Sequence, residues 1–190
     1  MNRPLLLHIC CAPCGGGCID HPFLAENSLT IAGLFYSNSN LNSREEYLRR
    51  LQYVMQLGEI FSIPVEADPY DHNAYLAAVS GLEKEPERGR RCQRCFEFNL
   101  ARTAARAAAD NMLFATTLTV SPLKSSALIF DIGSKYENFV PLDFKKTQRL
   151  SHRRQPCQRV WLLPAIILRL RVFPAGHREI TPPPSSTPSP

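Results

Sequence analysis

Apolar positions in this chain fall into short solid runs separated by longer stretches of helical spacing. Leu5-Leu6-Leu7-His8-Ile9 is one such run, and Ile31-Ala32-Gly33-Leu34-Phe35-Tyr36 is a second, ended by Ser37-Asn38-Ser39-Asn40. Both are short and nearly free of charge, as strands buried on two faces are. Pro64–Ala67, Met112–Thr117 and Phe139–Leu142 predict three further strands. Between them the period changes. Ser43 and Glu46 have capping-box spacing and open a helix that places Tyr47, Leu51, Val54 and Met55 on one face. Helices are also predicted at about 73–79, from Cys92 through Ala109, and over 123–136. Gly15-Gly16-Gly17 reads as a tight turn, and Glu83 to Arg91 as a loop.

Strands alternating with helices predict an α/β fold with a doubly wound, mostly parallel sheet. Ligands of such sheets lie beyond the carboxyl ends of the strands. Cys10, Cys11, the Asn40 loop and Thr116–Ser121 all fall at strand carboxyl ends, so one crevice can collect them.

Charge changes the picture in one respect. The 190-residue chain carries a net +5. Residues 1–144 hold 13 Lys+Arg against 16 Asp+Glu, whereas residues 145–190 hold 9 basic residues and the single acid Glu179. The basic character belongs to the tail and says nothing of nucleic-acid binding by the rest. No apolar run approaches the roughly 20 residues of a membrane span, and Leu5–Leu7 is too short for a signal core. The expectation is a soluble, cytoplasmic protein.

Under reducing conditions, closely spaced cysteines read as metal ligands or redox groups. His8-Ile-Cys-Cys-Ala-Pro-Cys14 follows the first strand, and Arg91-Cys-Gln-Arg-Cys-Phe96 lies far downstream. Cys92 and Cys95 stand one helical turn apart, so both sulfurs reach one metal. Four thiolates (Cys10, Cys11, Cys92, Cys95) suit an iron–sulfur cluster or a structural zinc. The adjacent pair favours the cluster, because zinc ligand pairs are normally spaced by two to four residues. A catalytic dithiol is the third reading of the CxxC.

Other candidates each have a plain alternative. Cys14 and Cys18 are either buried small residues or further thiol ligands. Arg88, Arg90, Arg91 and Arg94 form a solvated charge run, or they stabilise an anionic cluster or grip phosphate. Thr116 to Lys124 offers hydroxyls and a lysine at a helix start, for an anion or ribose, or simply capping by Ser121 with Pro122 at the first helical position. His8 reads as a satisfied core histidine.

Five blocks in order resemble the QueH-type epoxyqueuosine reductases: His8–Cys14, Phe35–Asn40, Glu87–Phe96, Thr116–Lys124 and Pro141–Lys146. The resemblance covers residues 5 to 146. It implies a PP-loop/HUP-like α/β fold and a [4Fe–4S] cluster on Cys10, Cys11, Cys92 and Cys95. It also implies reduction of epoxyqueuosine to queuosine at the tRNA wobble position, the last step of queuosine biosynthesis. The partners are then tRNA carrying epoxyqueuosine and an electron donor that the residues do not identify. Cys14 is the candidate for catalysis and for a second iron. A PP-loop-type tRNA sulfurtransferase is the alternative, but it needs a Ser-Gly-Gly-x-Asp-Ser loop where this chain has Cys-Ala-Pro-Cys-Gly-Gly-Gly. A zinc-stapled nucleic-acid-binding module is a third reading.

The chain departs from the family at three places. Asn99 replaces an arginine, and Ser125 stands where an asparagine is usual. The terminal block with its Cys-Gly-Cys pair is absent. Leu168-Arg-Leu-Arg-Val-Phe173 can be encoded so that a one-nucleotide shift reads Cys-Gly-Cys-Val-Phe. The sequence therefore predicts a reductase domain over 1–147 and an out-of-frame, poorly packed tail over 148–190.

Overall fold

A computed structural model describes residues 3–145. The predicted tail, with Cys157, lies outside the described residues. The elements run β1 (Arg3–Ile9), α1 (Ala12–Ile19), α2 (Pro22–Glu26), β2 (Leu29–Tyr36), α3 (Arg44–Phe61), β3 (Val65–Ala67), α4 (His72–Ala78), α5 (Arg90–Ala109), β4 (Leu113–Thr116), a 3₁₀ turn (Thr117–Val120) and α6 (Ser126–Gly133). The four strands form one all-parallel sheet in the order β3-β2-β1-β4. The chain winds outward from β1 to β3 and returns to place β4 on the other side of β1. That reversal leaves a crevice at the carboxyl ends of β1 and β4.

Strand periodicity divides the core in two. Leu5, Leu7 and Ile9 of β1 join Leu34, Tyr36 and Ala115 beneath Val54 and Leu57 of α3. Leu6 of β1 joins Phe35 and Phe114 beneath Leu100, Ala104 and Ala107 of α5 and Ile129 and Ile132 of α6. Helices thus cover both faces, and the sheet is doubly wound. Each large apolar side chain so buried stabilises the fold by roughly 1.5–3 kcal/mol.

Several sequence expectations need correction. Gly15–Gly17 lie inside α1 rather than in a turn. A Cβ on Gly15 would stand 2.1 Å from Ile9 Cδ1 and 2.9 Å from Leu57 Cδ2, so the missing side chain lets α1 seat against β1 and α3. Tertiary packing here outweighs the poor helix propensity of glycine. Phe139–Leu142 does not form a fifth strand. It makes one parallel bridge to Phe114, then Pro141 offers no N–H and Leu142 N–H turns back to the Val140 carbonyl at 3.0 Å. The helix expected over 123–136 shrinks to α6, because Ser125 rather than Ser121 supplies the cap, accepting from Leu128 N–H at 3.3 Å. On α3, Ser43 caps as expected, at 3.1 Å from Glu46 N. Met55 is 42% exposed, while Leu57 and Gly58 complete the inward stripe. The short α2 carried no sequence signal that was recognised.

Candidate metal and substrate site

Cys10 follows the last residue of β1. Cys11 is the N-cap of α1, with extended backbone at φ −168° and ψ 156°. Cys14 lies in the first turn of that helix, so Cys11 and Cys14 share a face. The three sulfurs lie within 4.8 Å of one another, with Cys10 and Cys11 Sγ 3.9 Å apart. Across the crevice, α5 begins at Arg90, two residues earlier than the sequence suggested. Cys92 and Cys95 consequently sit in its first two turns and line the same cleft of about 460 Å³ as Cys10, Cys11 and Cys14. The closest sulfur set is therefore the Cys10–Cys11–Cys14 triad, with the CxxC pair on the facing wall.

Hydrogen bonds fix these sulfurs. Cys10 N–H donates to Thr117 Oγ1 at 3.4 Å, and the Thr117 hydroxyl lies 3.7 Å from Cys10 Sγ. Asn38 Nδ2 donates to the Cys10 carbonyl. Arg88 adopts φ 70°, which turns its backbone N–H onto Cys92 Sγ at 3.3 Å. Asn99 Nδ2 donates to the Cys95 carbonyl at 2.8 Å and reaches Cys95 Sγ at 3.7 Å. A carbonyl only accepts, so the Asn99 amide can be oriented in one way only. Its buried Oδ1 has no hydrogen-bond partner among the described residues. Tyr75 of α4 acts on the Cys95 thiol, partly offsetting the rise that burial imposes.

The triad is electrostatically uneven. Hydrogen bonds from Cys11 and Cys14 hold the Cys10 thiol well below its ordinary value, with the Lys124 ammonium adding to the effect. The Cys11 and Cys14 thiols are pushed up, chiefly by donating to their neighbours in the triad. Burial pushes Cys95 up. One thiolate flanked by two thiol donors is a ready soft-metal site, since metal binding displaces the remaining protons.

The plain readings hold for two residues. Cys18 is buried and donates to the Cys14 carbonyl at 3.2 Å. His8 is buried between Thr116 Oγ1 at 2.8 Å and the Ser37 carbonyl at 3.2 Å. Burial lowers its titration, so the ring is neutral with its proton on Nε2, where only an acceptor faces it. Of the arginine run, Arg94 is taken by Glu97 at 2.9 Å, and Arg88 lines the cleft mouth. Sequence reasoning did not single out Asn38 or Tyr75. Nothing in their spacing marks them, because their partners are more than 15 residues away in sequence.

Comparison with known proteins settles the family. The sequence profile of "Epoxyqueuosine reductase QueH" matches residues 5–163. The chain belongs to the QueH family. Epoxyqueuosine reductase QueH of Streptococcus pyogenes serotype M1 is 34% identical over 170 residues, covering 82% of this chain and 65% of that protein. The QueH of Staphylococcus epidermidis is 33% identical over 173 residues, covering 82% and 70%. That of Acinetobacter baylyi is 32% identical over 142 residues, covering 72% and 62%. The chain thus spans about two thirds of the length of these QueH relatives. Among the described residues no helix is long and apolar enough to cross a membrane.

Proposed function

We propose that this chain is an oxidoreductase that reduces epoxyqueuosine to queuosine at the wobble position of tRNA in the cytoplasm. The observation that carries this reading is the gathering of five cysteines from two distant segments in one cleft at the switch point of the sheet. The chain's kinship with the QueH reductases supports it. The order β3-β2-β1-β4 is consistent with a PP-loop/HUP-like arrangement.

The donor set fits the implied cofactor. The triad is all sulfur, and the two further thiols of α5 face it. Soft thiolates suit iron–sulfur clusters and exclude hard cations such as magnesium. Cys10, Cys11, Cys92 and Cys95 would hold a [4Fe–4S] cluster, and Cys14 remains for a second iron. When bound, such a cluster supplies electrons one at a time from an external donor. The residues around it position the substrate. Asn40 offers an amide and Asn99 its unpartnered Oδ1, while Leu118, Leu123 and Leu128 offer apolar surface. A cleft of about 460 Å³ lies in the range of small-molecule sites and suits one extruded nucleoside. Cations at its mouth would hold tRNA phosphates, which position without specifying.

The test is anaerobic reconstitution with iron and sulfide, then incubation with a reductant and tRNA carrying epoxyqueuosine. A brown protein absorbing in the visible, and loss of one oxygen from the nucleoside by mass spectrometry, are the expected results. A colourless protein that binds zinc and leaves the nucleoside unchanged would overturn the reading in favour of a zinc-stapled module.

A further inference from the structure

Three cations line the cleft: Arg50, Arg88 and Lys124. Arg50 is committed to Glu46, with Nε 2.7 Å from its carboxylate. Arg88 is exposed at the mouth. Lys124 differs from both. It is half-buried, and it makes no salt bridge among the described residues. Its backbone is pinned at both ends: Lys124 N–H donates to the Ser121 carbonyl at 3.2 Å, and Lys145 Nζ donates to the Lys124 carbonyl at 2.7 Å. It lines the same cleft as Cys10, Cys11, Cys92 and Cys95, and its charge acts on cysteines of both groups.

Three other polar groups of the cleft are already used. His8 faces a threonine hydroxyl and a carbonyl. The Asn38 amide donates to the Cys10 carbonyl, and that of Asn99 to the Cys95 carbonyl. An unpaired, half-buried ammonium that lines a reaction cleft on a pinned backbone has its natural complement in negative charge that develops during the reaction.

We propose that Lys124 is a catalytic residue that donates hydrogen bonds to the epoxide oxygen of the substrate as that oxygen becomes an alkoxide. This rests on the proposed reductase activity. One electron opens the first C–O bond, leaving a carbon radical and an alkoxide on the neighbouring carbon. A second electron converts the radical to a carbanion, which expels the oxygen and forms the C=C bond. Two protons from water at the open mouth of the cleft carry the oxygen away as water. Both electrons come from an external low-potential one-electron donor. Lys124 has no electron to give. Its part is to neutralise the oxygen in the interval when it bears a full negative charge.

The experiment compares wild type, Lys124→Met, Lys124→Gln and Lys124→Arg in the full chain. It measures iron content and visible absorbance, tRNA affinity, and kcat and KM separately on tRNA carrying epoxyqueuosine. The expected result is unchanged loading and affinity, with kcat lowered ~10²-fold or more in the Met and Gln variants, as for removal of an oxyanion donor, and partly restored by Arg. A raised KM at constant kcat would make Lys124 a phosphate contact and overturn the proposal. Failure of both neutral variants to load iron would assign the lysine to the metal site and also overturn it. Unchanged kinetics in the neutral variants would sink the Lys124 role alone. A wild type that loads iron but stays inactive, both as written and with the frame restored after Thr147, would sink the reductase reading, and this role with it.

Discussion

At the residue scale the site depends on the inequality of three neighbouring thiols. Cys10 is held well below the ordinary thiol range by donors at Cys11 and Cys14, whereas burial, with negative charge at Cys10 and Cys11 adding to it, pushes Cys18 well above it. A group with a depressed value stays ionised as pH falls below about 8.5, the usual cysteine value, until its own lower value is reached. In metal-free protein near neutral pH, iodoacetamide should therefore modify Cys10 first and leave Cys18 intact, read by peptide mass spectrometry. Equal labelling of Cys10 and Cys14 would contradict the asymmetry. Much of this site was legible in the sequence. His8–Cys14 and the CxxC announce sulfur chemistry by spacing alone. The preference for Cys14 over Cys92 as the near neighbour of Cys10 was not legible, because it depends on where α1 starts relative to β1. Asn99 was noticed only as a departure from the family's arginine. Its role as a donor to Cys95 appears only once α5 presents both residues on one face.

At the scale of elements, α1 shows how packing overrides local propensity. Gly15 and Gly17 look equivalent in sequence, yet a Cβ at Gly15 would meet Ile9 and Leu57, whereas at Gly17 nothing lies within 4 Å. Gly15→Ala should therefore destabilise by ~1–3 kcal/mol through overpacking, less whatever helix propensity returns. Gly17→Ala should stabilise by up to about 1 kcal/mol. Urea midpoints moving in opposite directions for the two variants would confirm it; a shared direction would refute the packing account. The same logic explains which elements were misread. Strands β1 and β2 are buried on both faces, so their solid apolar runs are unambiguous. Phe139–Leu142 has a similar run, but Pro141 cannot extend a ladder. The start of α6 lies three residues past its expected place because Ser121 and Ser125 are both good caps, and Asp143 and Lys145 bond Ser126 and Lys124 on either side of the cap that is used.

At the scale of the whole molecule, the reversal of strand order beside β1 puts the Cys10–Cys14 turn and the start of α5 with Cys92 and Cys95 at one end of the sheet. Alternation of strands and helices made that architecture readable from the sequence, since right-handed crossovers leave few other topologies. Alternation carries no information on the division proposed between residues 1–147 and 148–190. The family profile runs on to residue 163, beyond the described residues. We propose that the frame shifts near Thr147 and that a terminal cysteine pair is lost with it. The chain as written and a version with the frame restored after Thr147 should then load iron alike, while only the restored version turns over epoxyqueuosine at full rate. Equal rates in a side-by-side assay would show the terminal pair to be dispensable.

The two walls of the cleft also bear on the lifetime of the protein. Cys11 and Cys92 lie 81 positions apart in sequence, on α1 and α5, helices that cover opposite faces of the sheet. Any centre bound by both helices acts as a clasp across the fold. Ligand that binds only the native state draws the folding equilibrium toward it, and releasing the clasp frees the span between the two helices to open. Iron starvation or oxidation of a single thiol would then slacken the fold as well as stop turnover. Proteolytic susceptibility of α5 would be the sign of that slackening.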